Sequence, residues 1–212
     1  PDKLKRSVCA AGHKAMFNAD WGGYPDKEFL VSLEPGLGRI RESLPDVAYT
    51  AGERAGLLTE EWAQRLGVKP GIAVSVGAFD AHMGAVGAGV KEGTLVKIIG
   101  TSTCDVAVAS KATGLPDVPG VCGIVDGSVL PEYIGLEAGQ SAVGDIFNWF
   151  VKNCVPASYG EEAKQKGMDI HQLLTEKAEK QKPGESGLLA LDWNNGNRTI
   201  LVDARLSGLM LG

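Results

Sequence analysis

The stretch that most limits what this chain can become runs from Gly77 to Asp105, GAFDAHMGAVGAGVKEGTLVKIIGTSTCD. Before it, IAVSVGAF (72–79) is a short apolar run rich in β-branched residues after the Pro70–Gly71 break, and it reads as a buried strand. Asp80 follows directly. Ligands of open α/β sheets gather at the carboxyl ends of strands, so an acid there is a candidate catalytic group. Asp is also a preferred helix cap, and position alone leaves both readings standing. The next segment, AHMGAVGAG (81–89), is mostly Ala and Gly. Such residues let backbones approach closely but weaken a helix, Gly by about 1 kcal/mol each relative to Ala. The segment suits a crossing between two moving bodies.

The glycine order in that segment is G-x-x-G-x-G, not the G-x-G-x-x-G of a dinucleotide loop, and no G-x-x-x-x-G-K-[ST] phosphate loop occurs anywhere in the chain. Next, LVKII and DVAVA read as strands with Gly100, Thr101, Ser102 and Thr103 as the turn between them. Successive backbone N–H groups and hydroxyls in such a turn can cradle an anion; an ordinary Gly-Thr-Ser turn is the alternative.

On either side the patterning is helical and turn-like. The segment 3–25 reads as extended and turn-rich, and Lys14 within it would by itself be a solvated surface charge. Phe29, Leu30 and Leu33 have helical spacing before a break at Pro35–Gly36, and a second short piece ends at Pro45. Thr59 caps a helix closed by Gly67, with Trp62 and Leu66 expected in the core. Asp126–Gly127 joins two strands, and Glu137 lies where the second strand hands over to a helix starting near Ser141. That helix carries Val143, Ile146, Phe147, Phe150, Val151 and Cys154 on one face, expected as a core stripe. A further charged helix runs from Asp169 to Lys182, with Ile170, Leu173 and Leu174 inward, and LLALDW (188–193) reads as a strand. His13, His82 and His171 read as packed side chains, since no acid or second histidine stands beside any of them at metal-ligand spacing.

Asp80 in GAFDAHMGAVGAG, then VKIIGTSTCD and VDGSVLPEYIGLEAGQSAVGDI, resemble the middle of an FGGY-family carbohydrate kinase, closest to its L-ribulokinase branch. The resemblance extends from AAGHK at Ala10 through the NGNRT loop at Asn195 to GLMLG at 208–212, which matches the opening of a family signature. It implies an α/β chain with the actin-like, ribonuclease-H-like fold of two-domain sugar kinases. Residues 1–89 would be the end of the first, sugar-binding domain, and 90–212 the start of the second, ATP-binding domain. The chain would then be the central piece of a longer kinase and have little activity alone.

The same resemblance implies transfer of the ATP γ-phosphoryl group to L-ribulose, with Mg²⁺, giving L-ribulose 5-phosphate. Asp80 would be the general base, Lys14 and Glu137 would hold the sugar together with Asp80, and Gly100, Thr101, Ser102 and Thr103 would cradle the phosphates. The alternatives are a kinase for D-ribulose, ribitol or another pentulose or pentitol, and a non-catalytic sugar- or nucleotide-binding module. The expected partners are a ketopentose and MgATP, with a homodimer compatible with the pattern. A net charge of −5 without a long Lys/Arg run argues against a nucleic-acid surface. No apolar run approaches the ~18 residues of a membrane span. The four cysteines form no C-x-x-C, in keeping with reduced thiols and a cytoplasmic protein.

Overall fold

The computed structural model describes residues 4–212, so Lys3, the first residue of the 3–25 segment, lies outside the described part. The chain forms two compact units, one of residues 4–98 and 104–138, the other of residues 99–103 and 139–212. This is a division by packing and differs in kind from the domain boundary near Gly89 that the family resemblance implies.

In the first unit β1 (Arg6–Ser7) leads straight into α1 (Val8–Ala15), where an extended segment was expected. Ser7 starts the helix by accepting a hydrogen bond from the Cys9 amide at 3.2 Å, and Met16 ends it in the left-handed region at φ 56°. The glycine in its middle has a packing reason. A Cβ at Gly12 would collide with Val125, so α1 lies directly on the strand that carries that residue. Next come α2 (Lys27–Leu33), capped by Asp26, and α3 (Leu37–Ser43), separated at Pro35–Gly36 as the sequence indicates. β2 (Ala48–Tyr49) pairs in parallel with β1.

β3 (Arg54–Leu57), α4 (Glu60–Leu66) and β4 (Ala73–Ser75) follow. Thr59 caps α4 and Gly67 closes it at φ 69°, as expected, but Trp62 and Leu66 are exposed. β4 is likewise exposed, not buried: it pairs only with β3, and no described element covers this two-stranded ribbon. Apolar periodicity reports which residues share a face; it does not report whether anything lies against that face.

α5 (Asp80–Gly87) begins at the expected acid. Its cap position is Phe79, so Asp80 is the first helical residue and its Oδ1 accepts from the Ala81 amide at 2.8 Å. β5 (Val96–Ile99), β6 (Thr103–Ser110), β7 (Gly123–Asp126) and β8 (Tyr133–Ala138) form one sheet in the order β5-β6-β8-β7. β8 is antiparallel to both neighbours, with Glu137 opposite Val106 on one side and Gly123 on the other. Ala85 of α5 packs with Val90, Val96, Val106, Val108 and Val129 in the core. The small residues of α5 make this approach feasible: a Cβ at Gly84 would stand 3.1 Å from Ile98 Cδ1.

The second unit holds α6 (Gly144–Cys154), α7 (Ala157–Lys166), α8 (Ile170–Ala178), β9 (Leu189–Leu191) and β10 (Leu209–Leu211), the two strands antiparallel. Asp169 caps α8, and Leu173 is fully buried as its spacing indicates. The stripe on α6 departs from expectation. No residue of this helix is buried, and Phe147, Trp149 and Phe150 are exposed. Trp149 and Phe150, with β9 and β10, border a groove of about 580 Å³ lined also by Ile146, Leu191 and Met210. Among the described residues, no helix is long and apolar enough to cross a membrane.

Candidate functional site

Three elements of the first unit bring ionisable side chains to one place: the end of α1, the start of α5 and the end of β8. His13 and Lys14 occupy the last turn of α1. α1 is held close to β7 at two glycines, because a Cβ at Gly123 would run into the His13 ring just as one at Gly12 would run into Val125. β8 delivers Glu137 from the sheet, and α5 contributes His82 one half-turn beyond Asp80.

The resulting cluster is almost dry. The side chains of His13, His82 and Glu137 are 2%, 1% and 4% exposed. Glu137 Oε2 lies 3.5 Å from His13 Nδ1 and 3.4 Å from His82 Nε2, so both imidazoles meet the same carboxylate oxygen. The two rings are 4.8 Å apart and tilted by 45°, and Phe79 closes the far side of His82 at 5.9 Å. Neither buried ring nitrogen of His82 completes a hydrogen bond. No local pattern points to this meeting, since the three residues sit on segments remote from each other; His13 and His82 are packed, as expected, but packed against an acid, whereas His171, also expected to be packed, is exposed.

The electrostatics follow from that burial. Loss of solvent pushes the His82 pKa below its ordinary value, chiefly because the interior disfavours the imidazolium. The Glu137 and Asp80 carboxylates pull it back up and the Lys14 ammonium pushes it further down. His82 therefore feels all three of the residues singled out from the sequence as sugar ligands. Lys14 is exposed and its Nζ stands 5.6 Å from the centre of the Phe79 ring, next to Asp80 in the chain. Asp80 is exposed too. Lys14, Asp80 and Glu137 are thus gathered around one histidine, two of them solvent-facing and the third buried. Cys9, on the same helix as Lys14, has its thiol pKa raised mainly by burial, which keeps it protonated and unreactive.

Among the described residues, His13, His82 and Glu137 are also the group whose donor atoms, all within 4.8 Å of one another, have the chemistry to hold a metal ion. Two imidazoles and one carboxylate in a closed pocket do not suit Mg²⁺, which prefers oxygen ligands and retains several waters.

The turn predicted to hold phosphates belongs to the second unit and is organised by α6. Gly100 donates to the Ser102 carbonyl at 2.9 Å, which makes the turn. Val143 and Gly144 donate to the Thr101 and Gly100 carbonyls at 2.8 and 3.1 Å, pinning the start of α6 to it. A Cβ at Gly144 would stand 2.7 Å from the Gly100 carbonyl oxygen. Thr103 is buried; its amide donates to the Gln140 carbonyl and its hydroxyl accepts from the Gln140 amide. The amides of Gly100 and Thr103 are thus engaged within the fold, whereas Thr101 is exposed and Ser102 half-buried. Gln140 also reaches Asp192 through its side chain, tying this turn to the segment after β9.

Residues 95–212 match the C-terminal domain of the FGGY family of carbohydrate kinases. The chain is 49% identical over 211 residues to a ribulokinase of Shouchella clausii, covering 99% of this chain and 37% of that protein. It is 49% identical over 212 residues to a ribulokinase of Halalkalibacterium halodurans, again 99% and 37%. It therefore spans little more than a third of the length of the curated relatives it matches. Among solved structures, a xylulose kinase from Rhodospirillum rubrum superposes with a TM-score of 0.63 at 22% identity, covering 84% of this chain and 33% of that one. A ligand-bound xylulose kinase from Lactobacillus acidophilus gives 0.64 at 18% identity, covering 88% and 34%. These likenesses show the actin-like, ribonuclease-H-like fold expected from the sequence, present in part. With more than half of its length matched by the family's C-terminal domain, the chain belongs to the FGGY family of carbohydrate kinases.

Proposed function

We propose that this chain carries the acceptor-sugar site and part of the phosphate site of an ATP-dependent kinase that converts L-ribulose to L-ribulose 5-phosphate. The observation that carries the reading is the convergence of Lys14, Asp80 and Glu137 around His82 in the first unit. A lysine, an exposed carboxylate and a buried carboxylate in one place suit a polyhydroxylated acceptor: the ammonium donates to hydroxyl oxygens and the carboxylates accept from hydroxyl hydrogens. The likeness to proteins named ribulokinase supports L-ribulose as that acceptor.

ATP supplies the γ-phosphoryl group. Asp80 orients the terminal hydroxyl of the sugar and takes its proton as the oxygen bonds to the γ-phosphorus and the bond to the ADP oxygen breaks. Phosphoryl transfer is governed by positioning and charge stabilisation, so Asp80 needs the right place more than high basicity. Thr101 and Ser102, in the turn made by Gly100 and closed by buried Thr103, receive the phosphate oxygens. Mg²⁺ would be carried by the nucleotide phosphates, since the described residues offer no oxygen-rich set that fits it. Residues 1–89 belong to the sugar side and residues 90–212, apart from Glu137, to the nucleotide side of a cytoplasmic enzyme.

A phosphoryl-transfer assay on the full-length protein against L-ribulose, D-ribulose, xylulose and ribitol tests it. L-ribulose should give the highest kcat/KM, and Asp80→Ala should lower kcat by about 100- to 10,000-fold with a smaller change in sugar affinity. Preference for another pentulose or pentitol would replace the substrate, turnover unaffected by Asp80→Ala would remove the base, and binding of sugar without turnover would leave a non-catalytic module.

A further inference from the structure

Glu137 is an unusual choice for a sugar ligand because its side chain is almost fully buried. A buried carboxylate is costly unless neighbouring donors hold it. Here both imidazoles lie against one of its oxygens, Oε2, at 3.4 and 3.5 Å. His13 reaches it from α1, and its ring is confined by the close passage of β7 at Gly123. His82 reaches it from α5, the helix that opens with Asp80. The Nε2 contact of His82 at 3.4 Å is an ion-pair approach and not a completed hydrogen bond, and both of its nitrogens are buried. Polar contacts in unliganded sites often have this character and tighten when the ligand binds.

We propose that His82 is a positioning residue that fixes the carboxylate of Glu137 relative to Asp80, so that the acceptor carboxylate and the base move as one unit. The inference rests on the sugar-kinase reading for its consequence in turnover, but the coupling itself is a property of this chain alone. His82 and Asp80 share the first turn of α5, so an imidazole held on Glu137 Oε2 links the end of β8 to the helix that presents the base. The other charged and titratable groups acting on the ring are Lys14 and His13 on α1 and Asp80 on its own helix. With this tie in place the sugar meets a carboxylate held from α1 and α5 together. Without it the hold from α5 is lost while His13 stays on the same oxygen, and the loss falls on sugar recognition.

Two substitutions at His82 separate positioning from packing. His82→Leu keeps an apolar body of similar size and removes the imidazole; His82→Gln keeps a donor able to reach the carboxylate. In the full chain, His82→Leu should raise the KM for the ketopentose by about tenfold or more while the KM for ATP and kcat stay within about threefold, and His82→Gln should recover most of the loss. Equal behaviour of the two variants, or a fall in kcat with sugar KM unchanged, would overturn the positioning role. A double-mutant cycle read by chemical unfolding, with His82→Leu and Glu137→Gln alone and together, supplies a readout independent of turnover. Non-additivity of at least about fivefold in the unfolding constant is expected, and additive effects would overturn the proposal whether or not the chain phosphorylates a sugar. If the full-length protein without substitutions turned over none of the ketopentoses, the sugar-kinase reading would fall, and the cycle would still decide whether His82 holds Glu137.

Discussion

Two regions of this chain distribute their polarity in opposite ways. Where α1, α5 and β8 meet, two histidines and a glutamate lie in the interior of the first unit, while exposed Lys14 and Asp80 stand at its margin. Along α6 in the second unit, Phe147 and Trp149 are 62% and 58% exposed, on a helix with no buried residue at all. Burying ionisable groups costs free energy unless they meet partners, so a site that retains them has been shaped for something other than stability alone. An exposed aromatic on a helix contributes little to the stability of the fold that displays it. The sensitive positions of this molecule should therefore be buried residues and tight backbone approaches, not its largest side chains.

The largest effect should come from the second unit's one deeply buried leucine. Leu173→Ala should cost about 2–5 kcal/mol in chemical unfolding, since a fully buried leucine leaves a cavity when truncated. A loss below about 1 kcal/mol would mean that α8 contributes little to the packing of its unit, and the contrast drawn with exposed α6 would lose its basis.

Gly123→Ala comes next, at about 1–3 kcal/mol, the usual cost of forcing extra volume into a packed interior. The added methyl group would strike the His13 ring, so it tests whether the buried cluster depends on the close passage of β7. The unfolding midpoint measures the cost, and no change would show that the ring can move aside freely.

A smaller effect should appear with pH. Burial holds the His82 pKa in the folded chain below that of an exposed histidine. As pH falls through about 6.5 the unfolded chain takes up a proton that the folded chain refuses, so stability declines toward acid until the folded pKa is passed. Urea midpoints at pH 7.5 and 5.5 should fall for the unsubstituted chain and fall less for His82→Gln. Identical slopes would remove His82 from the acid response and assign it to other groups.

How much of this arrangement was legible in the sequence depended on the distance over which the cause acts. The Thr59 cap, the start of a helix at Asp169, the break at Pro35–Gly36 and the strand-turn-strand around Gly100 are set by neighbours within a few residues, and all appear where the pattern indicates. α1 was missed because Gly12 weakens its helical signal, and the reason for that glycine is Val125, which no local window contains. The meeting of His13, His82 and Glu137 is likewise a product of the sheet order and of two glycine contacts, not of spacing along the chain. Apolar periodicity identified the face of α6 correctly as a stripe but could not say what, if anything, lies against it.

That stripe gives the finest test of the contrast. Phe147 projects from α6 into solvent, so Phe147→Ser removes apolar surface that the fold does not bury and should shift the unfolding free energy by no more than about 0.5 kcal/mol. The same substitution at a buried aromatic would cost about 3–5 kcal/mol. The two outcomes are far enough apart for a single denaturation curve to separate them. A loss above about 2 kcal/mol in the full chain would show that this face is covered when the protein is folded, and the exposed apolar helix would then belong with the buried cluster of the first unit instead of standing against it.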